Sequence, residues 1–236
     1  MENNFLELID IDTIEDSGYQ NVVDIAVTGD ASFVLSNGLI SHNSALSAVR
    51  KFRDTQTMGA FPLKGKFLNV SEMKSTEIIK NDEAVQLMAS LGLKLGEEPK
   101  SLRYGRIYIY TDADPDGNSI AALLINFFNR FWPELFDQGR VYKVMTPLVV
   151  AKKGKDSLNF YTNQEFDVWS AKNNAKTWNI EYKKGLAALE SDEYEQIINS
   201  PKLIQIKNDL NYKESLDAWF GPDSTPRKER ILKITE

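Results

Sequence analysis

The sequence contains no cysteine and a single histidine, His42. The absence of thiols excludes disulfides and thiolate metal sites, so any nucleophile must be an oxygen or a nitrogen. One imidazole also limits general-base chemistry. Long hydrophobic runs are missing too. There is no membrane span, and the amino terminus lacks the basic start and apolar core of a secretory signal, which implies a cytoplasmic protein with no membrane partner. Residues 1–43 lack Lys and Arg entirely while carrying eight acids: Glu2, Glu7, Asp10, Asp12, Glu15, Asp16, Asp24 and Asp30. The other 26 of the 34 acids face 28 basic residues, so residues 44–236 carry +2 although the whole chain carries −6. That division implies two modules with different partners. At 236 residues and 42% hydrophobic content, there is room for one sizeable domain plus smaller pieces.

The most informative motif is central. The alternating run Arg106 to Tyr110 leads into TDADPDG, which carries Asp112, Asp114 and Asp116. Alternation places neighbouring acids on one side of an extended backbone, and grouped carboxylates repel unless Mg²⁺ or a similar hard cation neutralises them. An EF-hand, which shares this spelling, needs a bidentate Glu at the twelfth loop position, where this chain has Leu123. Ile120, Leu123, Leu124, Phe127, Phe128 and Phe131 then recur at helical spacing, predicting a buried helix. Strand, acidic loop and helix together put the carboxylates at the carboxyl end of a strand, where open α/β sheets bind ligands. A solvated acidic turn is the plainer alternative.

The first 43 residues read differently. NVVDIAVTGDASFVLSNGLISHNS alternates as short strands, with Asn37-Gly38 as a hairpin signal, and ends in His42-Asn43-Ser44. Asn can cyclise on its own carbonyl, an adjacent imidazole is a suitable proton donor, and Ser44 is an oxygen nucleophile. As a bare tripeptide this is weak, and His42 also reads as an ordinary loop residue. In context, these segments resemble the carboxyl-terminal splicing blocks of an intein. With Met1 so close upstream, the resemblance is to the carboxyl-terminal half of a split intein. It implies that Ser44 accepts the upstream chain, Asn43 cyclises, His42 assists and Asp24 helps activate the nucleophile. Many inteins carry a second His where this chain has Ala31. The acidic fragment implies a basic amino-terminal half as partner, since opposite fields speed encounter.

After the junction, SALSAVRKFRD reads as a helix begun by Ser44, with Leu46, Val49 and Phe52 on one face. FPLKGKFLNV reads as a strand with a basic turn, Lys64-Gly65-Lys66, fit either for phosphate or simply for solvent. Ser71 to Gly92 reads as one or two helices, capped by Asn81 and stopped by Gly92. GRVYKVMTPLVVAKK reads as a further pair of strands, so the order describes an α/β domain that lacks its first strand. The aromatics beyond Asn163, Trp169, Trp178, Tyr182, Trp219 and Phe220, read as small-core residues rather than as a stacking platform.

PLKGKFLNV, RIYIYTDADPDG, the helix running to FFNRFWPELFDQGRVYKVMTPL, EYKKGLAAL and the closing RKERIL resemble, in order, the Toprim region of type II DNA topoisomerases, and most nearly the large subunit of phage enzymes. The resemblance implies three pieces: an all-β intein fragment at 1–43, an incomplete Toprim domain with a Rossmann-like parallel sheet at 44–162, and a mostly helical tail at 163–236. It implies Mg²⁺ on Asp112 and Asp114, with Asp116 as an additional ligand, and double-stranded DNA near Lys64, Lys66, Lys183 and Lys184. The family has Gly where Ala187 stands. Its general-acid Glu lies in a Glu-Gly-Asp-Ser run of which only Ser44 is here, so that Glu belongs to the upstream polypeptide. The ATP-binding region lies upstream as well, and the DNA-linking Tyr lies on a partner subunit. The implied product is a precursor that trans-splices and then joins an ATP-dependent, double-strand-passing enzyme, in a host cytoplasm if phage-encoded. A Toprim nuclease, primase or phosphatase, or a non-catalytic DNA-binding assembly piece, remain alternatives.

Overall fold

The computed structural model describes residues 32–34, 40–42, 44–100, 102–183 and 185–235. The first elements are β1 (Ser32–Val34) and β2 (Ile40–His42), an antiparallel pair with Ser32 opposite His42. Next come α1 (Ser44–Phe52), α2 (Ser75–Ile78), α3 (Asp82–Leu91), β3 (Ile107–Ile109), α4 (Pro115–Phe131) and α5 (Glu134–Asp137). They are followed by β4 (Val141–Met145), β5 (Val149–Lys153), β6 (Asp156–Phe160), α6 (Asn163–Lys172) and β7 (Asn179–Tyr182). The chain closes with α7 (Ser191–Asn199), β8 (Lys202–Gln205), α8 (Tyr212–Phe220) and α9 (Thr225–Thr235). No helix among the described residues is long and apolar enough to cross a membrane.

The local rules that shape these elements are visible at their ends. Asn81 accepts the Ala84 N–H at 2.9 Å and caps α3, while Gly92 ends it with a left-handed φ of 79°. Asp114 caps α4, and Pro115 supplies the preset φ of its first position. The segment read as one or two helices is two, α2 and α3.

The central sheet has the order β3-β4-β8, with β3 parallel to β4 and β8 antiparallel. Period-2 alternation sorts β3 between two cores. Ile107 and Ile109 join the cluster under α4, whereas Tyr108 and Tyr110 join the one formed with Val49, Phe52, Tyr194, Ile197 and Ile198 of α1 and α7. The result is helix on both faces of a partly parallel sheet, the α/β arrangement expected. Phe127 is the hub of the first cluster. It is fully buried, and its ring lies 5.0 Å from Phe67, 5.5 Å from Phe128, 5.7 Å from Phe131 and 5.5 Å from Trp132.

Two expectations need correction. FPLKGKFLNV forms no strand: Pro62 offers no N–H to a ladder, and the Lys64 N–H goes to Glu83 Oε1 at 2.7 Å instead of to a neighbouring strand. Phe67 and Val70 are nonetheless buried. GRVYKVMTPLVVAKK does give two strands, but they part at Pro147 into different sheets. β5 lies between β6 and β7 in a second, antiparallel sheet. The tail is helical as expected, yet it also contributes β7 and β8. Trp169 and Trp178 pack with Phe160 and Phe166 against this second sheet, while Tyr182 is 71% exposed.

Because Phe127 joins four aromatic neighbours with no solvent contact, Phe127→Ala is expected to cost about 3–5 kcal/mol. Denaturant unfolding of the chain measures this, and a loss below about 1 kcal/mol would contradict the packing described.

Candidate functional site

The backbone of Asp112 lies against the first turn of α4. A Cβ at Gly117 would sit 2.2 Å from the Asp112 carbonyl oxygen, so only glycine lets the helix begin there. Asp114 accepts the Gly117 N–H on Oδ1 at 2.7 Å, which fixes its side chain at the helix N-terminus. Asp112 Oδ1 accepts the Leu186 N–H at 2.6 Å. A Cβ on Gly185 would lie 2.8 Å from Asp112 Cγ, so the 185–186 backbone rests directly on this carboxylate. The EYKKGLAAL motif, more than seventy residues downstream, is thus part of the same site.

Asp116 departs from the expected pattern. The extended backbone ends at Asp114, and Asp116 is a residue of α4's first turn, so alternation no longer applies to it. It is exposed and pairs with Lys66 Nζ at 2.8 Å. Among the described residues no group of three or more His, Asp or Glu side chains converges as a metal cage. The three carboxylates have different contacts: Asp112 holds a loop, Asp114 caps a helix and Asp116 meets a lysine. Asp112 and Asp114 bring hard carboxylate oxygens to the end of the strand and the start of α4.

Lys64 is exposed beside Lys66 in the basic turn, and a Cβ at Gly65 would meet nothing of the protein within 4 Å. Lys183 is buried. Its side chain is only 5% exposed and lies 2.7 Å from Glu181 and 3.0 Å from Glu193. Burying an ammonium requires such partners, which is why this lysine turns inward. Lys184, Asp24 and Asn43 lie outside the described residues. His42 closes β2 and Ser44 opens α1, without described side chains.

Sequence reading missed the network around Lys183. Lys152 approaches Glu190 at 2.6 Å, Glu193 at 3.1 Å and Glu181 at 3.8 Å. Glu193 is buried and also accepts the Glu190 N–H at 2.8 Å, closing a capping box at α7. Tyr194, also missed, donates its hydroxyl to the Leu186 carbonyl at 2.5 Å. Burial, helped by the Asp112 charge, pushes the Tyr194 hydroxyl up to about 12. Nothing in an amphipathic helix pattern distinguishes that tyrosine from a core aromatic.

Comparison with known proteins adds a family. The model of the Toprim domain matches residues 39–145, and that of the C-terminal associated domain of TOPRIM matches 144–235. DNA topoisomerase 2-beta of Gallus gallus is 42% identical over 176 residues, 70% of this chain and 11% of the relative. DNA topoisomerase 2 of Arabidopsis thaliana is 39% identical over 195 residues, 79% of this chain and 13% of the relative. The crystal structure of the Plasmodium falciparum topoisomerase II DNA-binding, cleavage and re-ligation domain superposes with a TM-score of 0.69 at 30% identity, covering 80% of this chain and 27% of that one. The chain thus spans a small part of the length of the relatives it matches.

The ion network gives stability a defined pH window. The Lys183 hydrogen bond holds Glu181 below its ordinary 4.5, so its contribution is present above that value and is lost as pH falls through the folded one. Burial works against the charge of Lys183, but Glu181 and Glu193 outweigh it and raise Lys183 above the ordinary 10.5; the Glu190 hydrogen bond foremost raises Lys152 likewise. Their contributions are present below that value and are lost as pH climbs through the folded ones. The melting temperature is expected to fall below about pH 4.5 and above about 10.5, with Glu181→Gln flattening the acid limb. Superimposable acid limbs for variant and parent would exclude this role.

Proposed function

As the chain carries a Toprim domain and its C-terminal associated domain, homologous to the cleavage region of type II DNA topoisomerases, we propose that it supplies the magnesium-binding carboxylates of a type II DNA topoisomerase. The observation that supports this most is the convergence on Asp112 of three separate segments. These are the strand end with its acidic loop, the first turn of α4 at Gly117 and the glycine of EYKKGLAAL.

Asp112 and Asp114 are the residues that would hold Mg²⁺. When bound, the ion supplies positive charge against the attacking and leaving oxygens of the scissile phosphate. The protein's own contribution is orientation. Leu186 fixes one oxygen of Asp112, the Gly117 N–H fixes one oxygen of Asp114, and the dipole of α4 favours anions at this end. Lys64 and Lys66 are exposed where a phosphate backbone would pass, and Lys66 is held ready by Asp116. Lys66 then exchanges one anionic partner for another when DNA arrives.

The site is incomplete without a further acid, which fits the reading of residues 1–43 as the carboxyl-terminal half of a split intein. On that reading Asp24, His42, Asn43 and Ser44 carry out trans-splicing to an upstream polypeptide that brings the ATP-binding region and the missing Glu. The spliced product is of the phage type and pairs with a tyrosine-bearing subunit on double-stranded DNA, with ATP bound outside this chain. Residues 44–162 and 163–236 remain as its Toprim part and tail.

Two measurements test these readings. In the assembled complex, Asp112→Ala or Asp114→Ala is expected to lower supercoil relaxation roughly a hundredfold or more, and a chelator to abolish it. Retained relaxation would favour a non-catalytic assembly role, and strand cutting without rejoining a nuclease. Mixing the chain with the upstream polypeptide is expected to yield, by intact mass, a product joined at Ser44 and a released fragment 1–43. Unchanged masses with a paired intein would remove the splicing reading.

A further inference from the structure

We propose that Tyr194 is a positioning residue for the metal site, holding the Leu186 peptide so that Leu186 in turn sets the orientation of the Asp112 carboxylate. The proposal rests on the reading of Asp112 as a magnesium ligand.

The geometry is a relay of two short hydrogen bonds through one residue. Leu186 donates its N–H to Asp112 Oδ1 at 2.6 Å and accepts the Tyr194 hydroxyl on its carbonyl at 2.5 Å. Leu186 opens a single 3-10 turn, Leu186–Ala188, too short to hold its own position. Gly185 before it is fully extended (φ 171°, ψ −175°), a conformation open to any residue. The glycine is needed for room, because a Cβ there would lie 2.8 Å from Asp112 Cγ. The turn therefore approaches Asp112 as closely as backbone can, and something must keep it there.

Tyr194 is placed to do that. It is 6% exposed and packs with Val144, Ile197 and Ile198, on a helix whose first turn is bolted by Glu193 to Lys152 and Lys183. The ring is packed into this core, and its hydroxyl, raised to about 12, stays protonated near neutral pH. The Leu186 N–H occupies Oδ1, so Oδ2 is the oxygen that would meet a cation. Outer groups that orient a metal-binding carboxylate typically affect affinity about 10–100-fold without touching the metal.

The test is Tyr194→Phe, which keeps the ring in the core and removes only the hydroxyl. In the chain itself, amide hydrogen exchange at Leu186, read by NMR, is expected to accelerate about fivefold. In the assembled complex, the Mg²⁺ concentration for half-maximal DNA cleavage is expected to rise about tenfold, with cleavage at saturating Mg²⁺ nearly unchanged. Gly185→Ala, which displaces the turn from the other side, is expected to shift the same Mg²⁺ midpoint upward. An unchanged midpoint in Tyr194→Phe overturns the proposal, whether or not Leu186 exchange responds; a tyrosine needed only for packing would lower the melting temperature and leave that midpoint in place. Failure of the underlying metal reading looks different, because Asp112→Ala would then cleave DNA normally in chelator.

Discussion

Asp112 has almost no room. Its backbone is covered by Gly117 so closely that one methyl group would overlap its carbonyl oxygen, and its carboxylate is covered by Gly185 with nearly equal tightness. Two glycines from distant parts of the chain thus allow a strand end, a helix start and a loop to meet on a single aspartate. Close approach of this kind is the constraint from which the other arrangements follow. It sets where α4 begins and where the 185–188 turn lies, and it requires the helix α7 and its ion network to brace that turn from behind.

The bracing is electrostatic and largely internal. Lys183 and Glu193 are nearly removed from solvent, and neither charge is tolerable without the other. Lys152 joins three carboxylates from β7, from the residue before α7 and from α7 itself. Networks of this kind specify one geometry more than they add stability, because removing one member leaves another charge buried. Here the specified geometry is the position of α7 relative to the second sheet, and with it the position of everything the 185–188 turn touches.

Much of this was legible in the residues, and the exceptions have physical causes. The strand before Asp112, the buried helix after it, the caps at Asn81 and Gly92 and the place of the acidic loop all follow from local pattern, and the structure bears them out. FPLKGKFLNV misled because a run of apolar residues looks the same whether or not its N–H groups reach a ladder. Period-2 spacing does not extend to Asp116, because the backbone is already helical from Pro115. The burial of Lys183 by two glutamates, one ten residues away, leaves no mark in the short motif that placed this lysine near DNA. Tyr194 and β8 were invisible for the same reason: what matters is a partner far off in sequence. The Toprim resemblance was legible from motif order, and family comparison supports it at 39–145 and 144–235.

The edge strand β8 has a consequence in time. β4 is complete at Met145, but its antiparallel neighbour starts only at Lys202. A ribosome adding about 5–20 residues per second needs roughly three to eleven seconds to make the stretch between them. Throughout that interval one side of β4 offers a row of unsatisfied amides and carbonyls, a template for any stray strand. The second sheet and α6 are made in the same window and fold from contacts among themselves. The layer that carries the acidic loop thus gains its third strand only after the whole second sheet has been synthesised.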